Sequence, residues 1–224
     1  MSTTRDLQAL SRELFSAVIG DVMDKMGLRH QFLPPQIQPL DPGMVVVGHA
    51  MPVLEADCSG TRVHSEHVEQ PFGKMFDALD DLKPGEVYIC TGSSGAYALW
   101  GELMSTRARR LGAVGAVVNG YSRDTPGIVQ MGFPTFSCGR YAQDQGVRGR
   151  VIDWRCPIEF AHGVVVNPGD LVFGDIDGVV IVPRERQDEI LEAALEKVHG
   201  ENKVRVAIEN GMGAAEAFRT FGIM

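Results

Sequence analysis

Residues 84–124 read PGEVYICTGSSGAYALWGELMSTRARRLGAVGAVVNGYSRD, and the order of elements in this stretch decides the fold. Glu86–Thr91 is rich in β-branched and aromatic residues and reads as a strand. A loop of small residues, Gly92 to Ala98, follows it. Trp100–Leu111 has helical composition, and Gly112 stands where a helix cap belongs. Val114–Val118 is a second, fully apolar strand. A strand–loop–helix–strand unit of this length predicts two parallel strands joined by a right-handed crossover.

Working outward, residues 5–26 predict one helix, with Leu7, Leu10, Leu14, Val18 and Val22 at three- and four-residue spacing and Gly27 beyond its end. Prolines at 34, 35, 39 and 42 then interrupt regular structure, and Met44–Val53 reads as a strand. We assign no element to residues 54–80. Beyond residue 130 come short β-rich runs: Pro134–Ser137, Val151–Trp154, Ile158–Val166, Leu171–Phe173 and Val179–Val182. Gly and Asp turns separate them, Asn167–Asp170 and Asp175–Gly178 being the clearest. A long charged helix over Glu185–Gly211 and a short helical tail to Phe221 complete the chain. Pro-Gly-acidic-apolar recurs at 84–87 and 168–171, too weak a signal for a repeat. With no low-complexity linker, the reading is one α/β domain over residues 1–224 with a mixed sheet core.

Composition narrows the function classes. Hydrophobic residues make up 44% and charged residues 22% of 224, the profile of a globular chain. A formal charge of −8 repels phosphate backbones, so no nucleic-acid partner is expected. No apolar run approaches the roughly 20 residues of a membrane helix, so no membrane partner is expected either. The first fifteen residues carry scattered charges and no apolar centre, unlike a secretory or transit signal. Cys58, Cys90, Cys138 and Cys156 form no paired motif, which predicts free thiols in a reducing, cytoplasmic setting.

Chemistry concentrates between Gly92 and Asp124. A small-residue loop leaving the carboxyl end of a parallel strand and opening a helix is an anion site or a tight connection. In the first case the free amides around Gly101–Met104 would converge on a carboxylate, since the loop has neither a P-loop ending nor GxGxxG. The next strand ends on the same rim at Arg123-Asp124. Such a guanidinium can fork onto a carboxylate or an enolate oxygen, and the adjacent carboxylate can hold a hard cation; equally, both can be solvated surface groups.

The segments WGELMSTRARRLGAVGAVVNGYSRD, PGDLVFGDIDGVVIVP and LFSAVIGDVMDKMG resemble the family that contains 4-hydroxy-4-methyl-2-oxoglutarate aldolases and the regulator of ribonuclease E activity. The resemblance runs from about residue 14 to the FGIM tail. Family aldolases carry an acid, twenty intervening residues, then Arg-Asp, and Glu102 with Arg123-Asp124 matches that spacing. The acid is usually Asp, so Glu102 extends the carboxylate by about 1 Å. The resemblance implies a β/β/α swivelling-domain type of sheet with flanking helices. It also implies a divalent-metal-dependent aldolase that releases pyruvate from 4-hydroxy-4-methyl-2-oxoglutarate or 4-carboxy-4-hydroxy-2-oxoadipate type substrates, with oxaloacetate decarboxylation as a side activity. On that basis Asp124 would hold Mg²⁺ (or Mn²⁺ or Co²⁺), Arg123 would bind the keto oxygen, and Glu102 would polarise a water as base. The amides of Gly101, Glu102, Leu103 and Met104 would bind the carboxylate of a small-molecule 2-oxo acid. A homotrimer or homohexamer is implied, with residues 186–224 reaching a neighbouring subunit and Glu201, or else Glu192 or Glu196, supplying a carboxylate there. The family's other implication is a non-catalytic regulator that binds and inhibits a ribonuclease; the intact acid and Arg-Asp set weighs against it.

Other groups are assigned plainer roles. His64 and His67, with Glu66 or Glu69, are a rival metal pair without a recognisable third ligand. Tyr97 and Trp100 either line the pocket or pack beneath the loop, packing being the simpler role. Arg107, Arg109 and Arg110 read as a solvated helix face or subunit contact, Asp21 and Asp24 as surface carboxylates, and Asp170, Asp175 and Asp177 as turn formers.

Overall fold

The computed structural model describes residues 7–58 and 71–222. The amino-terminal helix is two: α1 (Leu7–Leu10) and α2 (Ser16–Lys25). The break, which the apolar spacing does not announce, has a tertiary cause. Phe15 is extended, and the amide and hydroxyl of Ser16 both donate to the Asp175 carboxylate at 2.7 Å, so a distant side chain caps α2. Asp175 also accepts the Asp177 amide, so it is a turn former and a helix anchor at once.

The remaining elements follow in order: β1 (Gln38–Pro39), β2 (Val46–Asp57), α3 (Met75–Asp80), β3 (Glu86–Thr91), β4 (Ala98–Trp100), α4 (Glu102–Arg110), β5 (Gly115–Val118), β6 (Tyr121–Ser122) and α5 (Thr125–Met131). Then come β7 (Thr135–Ser137), β8 (Gly149–Trp154), β9 (Ile158–Phe160), β10 (Val164–Val166), β11 (Leu171–Asp175), β12 (Gly178–Val182), α6 (Gln187–Glu209) and α7 (Ala214–Phe221). The main sheet runs β1-β7-β5-β3-β2-β11-β12, with β8 paired to the far half of β2. Its centre, β2-β3-β5-β7, is parallel, the β3–β5 pair as predicted; β1, β8, β11 and β12 join antiparallel. The strip curls until β1 packs near β11 and β12, giving a nearly closed mixed sheet with flanking helices. Beside it lie a β9–β10 hairpin and a two-stranded parallel pair, β4–β6.

Two apolar layers hold the sheet. One packs α2 and the first half of α6 (Ile190, Leu191, Ala194, Val198) onto Val47, Leu171, Phe173, Val180 and Val182. The other lies under β3, β5 and β7, where Val87, Ile89, Val117 and Phe136 are fully buried. Each contributes about 1.5–3 kcal/mol of burial. Cys90, Cys138 and Cys156 are free thiols. No helix among the described residues is long and apolar enough to cross a membrane.

Candidate active site

The small parallel pair positions the site. Trp100 belongs to β4, not to the helix that its composition suggested, and its carbonyl accepts the Arg123 amide at 2.9 Å. That bond sets Gly101, which opens α4, beside Arg123 and Asp124, which open α5. Chain 139–144 then docks along both short strands through Ser122 N–H to Gly139 O, Tyr141 N–H to Ser122 O and Ala98 N–H to Gln143 O. It thereby carries Asp144 and Gln145 to the same place.

Asp124 stands at the N-cap of α5 in left-handed backbone, φ 56° and ψ 31°, yet its carboxylate makes no capping bond to its own helix. A strained non-glycine residue whose polar head ignores the local donors points to a use elsewhere. The carboxylate lies over Gly101 instead: a Cβ on Gly101 would meet Asp124 Oδ2 at 2.9 Å. Glu102 does the reverse. A Cβ on Gly127, in the first turn of α5, would come within 2.5 Å of Glu102 Oε2. Each carboxylate thus rests on the other's helix start, where the backbone dipole favours it.

Arg123 lies between two acids, with Nη2 3.0 Å from Asp144 Oδ1 and Nε 3.7 Å from Asp124 Oδ2. Gly101, at the N-cap of α4, has no side chain with which to cap the first turn, which leaves the leading amides to meet an anion. A cavity of about 350 Å³ opens here, and Gly101, Leu103, Met104, Arg123 and Asp124 line it together with Asp144 and Gln145. Five of the six predicted site residues therefore meet in one cavity. Glu102 does not line it, because its carboxylate is turned onto Gly127.

Behind the wall sits a group that the sequence reading missed. Glu55, at the β2 bulge, is 2% exposed and accepts a 2.7 Å hydrogen bond from Gln145 Nε2. Burial pushes its carboxyl up to about 8, the Gln145 bond pulling weakly the other way. Asp144 and Gln145 were equally unread, since 138–148 carries neither periodicity nor motif. The far wall of the cavity did leave a signal: Phe72, Met75, Phe76 and Leu79 follow i, i+3, i+4, i+7 spacing.

The remaining candidates sort cleanly. Tyr97 packs beneath the loop, its hydroxyl donating to Asp57 Oδ1 at 2.8 Å, whereas Trp100 is a wall of the cavity. Arg107 pairs with Asp80, and Arg109 donates to the Met131 carbonyl that ends α5. Asp21 and Glu201 both pair with Lys197 of the same chain, and no residue of α6 lines the cavity. Asp170 accepts the amides of Asn167 and Arg184, a turn former as expected. His64, His67, Glu66 and Glu69 lie outside the described residues.

A family model, Aldolase/RraA, matches residues 16–181, a span that holds all of the sheet but its last residue, Val182, and every lining residue of the cavity. The chain belongs to the RraA-like family. It is 28% identical over 208 residues to a Halalkalibacterium halodurans protein named "Putative 4-hydroxy-4-methyl-2-oxoglutarate aldolase", covering 92% of this chain and 90% of that one. It is 29% identical over 206 residues to Protein DlpA of Legionella pneumophila, covering 90% of this chain but only 31% of DlpA's length. Among solved structures, an uncharacterized Pseudomonas syringae protein superposes with TM-score 0.83 at 25% identity, covering 99% and 96% of the two chains. Streptomyces coelicolor RraAS2, described as an unusual member of the RNase ES inhibitor RraA family, superposes with TM-score 0.75 at 25% identity, covering 91% and 97%. The RraA-like family thus has both aldolase-named and inhibitor-named members around this chain.

Proposed function

We propose that this RraA-like protein is a divalent-metal-dependent aldolase that cleaves 4-hydroxy-2-oxo acids to pyruvate, with oxaloacetate decarboxylation as a side activity. One observation carries the reading: Asp124, held in left-handed backbone without capping its helix, converges with Arg123 and the uncapped start of α4 on a single cavity.

The charges at this rim favour a cation. One guanidinium and two carboxylates sum to −1, which repels a 2-oxo acid; a divalent ion reverses the sign. No three His, Cys, Asp or Glu side chains cluster as a metal site among the described residues. The donor set therefore suits Mg²⁺, which retains waters and takes one or two protein carboxylates, here Asp124. When bound, the ion supplies Lewis acidity toward the keto oxygen. The α4 amides bind the substrate carboxylate, and Arg123, steadied by Asp144, meets the negative charge that grows on the keto oxygen as the C3–C4 bond breaks. Glu102, the first residue of α4, whose carboxylate rests against Gly127 outside the cavity lining, accepts the C4 hydroxyl proton through water.

Pyruvate release from 4-hydroxy-4-methyl-2-oxoglutarate, measured by coupled lactate dehydrogenase with Mg²⁺ and with EDTA, tests the proposal. Activity abolished by EDTA and by Arg123→Ala is expected; full turnover by that variant refutes the roles. The likeness to RraAS2 supports a second reading, ribonuclease inhibition, which a stable ribonuclease complex without turnover on any 2-oxo acid would favour.

A further inference from the structure

The cavity is polar at one end only. Arg123, Asp124 and Asp144 are its sole charged side chains among the described residues, and all three sit at the α4–α5 rim. Beyond them Gln145 is the remaining polar side chain, buried at 2% exposure with its Nε2 donating to Glu55. The rest is hydrocarbon and aromatic. Met75, Phe76 and Leu79 of α3 face Leu99 and Trp100 across it, and Trp100 is fixed in place by a 2.7 Å bond to Ser105 Oγ and by Tyr88, whose ring lies 4.9 Å away. A second carboxylate pushed into that end would shed its hydration and gain no charged partner there among the described residues.

Resting on the aldolase reading for the chemistry at the rim, we propose that the substrate is a 2-oxo acid whose C4 carries an apolar group, aryl or branched alkyl, in place of a second carboxylate. Size agrees. An apolar cavity of about 150 Å³ holds a benzene ring, so 350 Å³ has room for a ring and a keto-acid head together. The bond change is ordinary retro-aldol chemistry. The C3–C4 electron pair stays on C3, which takes a proton to become the methyl of pyruvate; the C4 hydroxyl gives up its proton and becomes the carbonyl of an apolar aldehyde. Phe76 and Leu103 mark the mouth, 56% and 84% exposed, and the α3 end selects the C4 group.

Two measurements separate this inference from the reading beneath it. First, kcat/KM for pyruvate release is compared between 4-hydroxy-2-oxo-4-phenylbutanoate and 4-hydroxy-4-methyl-2-oxoglutarate, in Mg²⁺, for the wild type and for Phe76→Arg, a substitution at an exposed position that leaves the core intact. The aryl substrate is expected to win by about tenfold or more, the scale at which apolar pockets discriminate, and the arginine variant to shrink that ratio at least tenfold. Second, calorimetric binding of phenylpyruvate and 2-oxoglutarate needs no turnover, and phenylpyruvate is expected to bind at least tenfold tighter. Equal or better handling of the dicarboxylates in both measurements overturns the substrate class while sparing the aldolase reading. Tight, selective phenylpyruvate binding without cleavage of either compound upholds the apolar end and overturns the aldolase reading.

Discussion

Replacing Glu55 with Gln removes a single ionisable proton from behind the cavity wall. Glu55 is 2% exposed; its Oε2 accepts from Gln145, while its Oε1 and the nearby buried Tyr88 hydroxyl have no hydrogen-bond partner among the described residues. Burial raises the carboxyl from 4.5 to about 8, so the folded chain keeps this proton through neutral pH whereas the unfolded chain releases it above about 4.5. The sign follows: the native state binds more protons, so stability from this group is fully present below 4.5 and drains away as pH rises to about 8. At about 1.4 kcal/mol per pH unit, the total is on the order of 5 kcal/mol by pH 9. The amide introduced by Glu55→Gln keeps a partner in Gln145 and never ionises. Urea unfolding of wild type and Glu55→Gln at pH 5 and pH 9 is the assay, since the difference between the two proteins cancels every other titrating group. Near-equality at pH 5 and a variant more stable by several kcal/mol at pH 9 are expected. Parallel curves across the range would refute a buried, protonated Glu55.

Gly101→Ala places a methyl 2.9 Å from Asp124 Oδ2; displacing that carboxylate by about 1 Å lowers kcat/KM on the order of 100-fold, with the melting temperature unchanged within a few degrees. Asp175→Ala strips the cap from α2 and leaves the Ser16 amide unpaired, so calorimetric unfolding should register a loss of about 1–3 kcal/mol with catalysis otherwise retained.

How much was legible depends on distance along the chain. β3 appears at Glu86–Thr91 as read, and α6 (Gln187–Glu209) and β12 (Gly178–Val182) within two residues of their expected bounds, because a run of β-branched residues or a long charged periodic stretch declares itself locally. The single helix over 5–26 fails at Phe15 because the group that caps α2 lies at residue 175. Residues 54–80 hid α3, whose apolar stripe spans too few turns to stand out beside a featureless neighbour. β4 is split by the sequence reading between the loop, which takes Ala98, and the helix, which takes Trp100, because three residues are too short to show an alternation.

From sequence alone came the parallel β3–β5 pair and the placing of a helix start beside Arg123-Asp124, since each rests on composition or spacing within about forty residues, and a resemblance along nearly the whole chain gave the family. Tertiary structure decided which side chains face the cavity. It turned Glu102 onto Gly127, brought in Asp144 and Gln145 from an unpatterned segment, and buried Glu55 behind them. Side-chain direction and burial are set by what packs from elsewhere in the chain, and residue type carries neither.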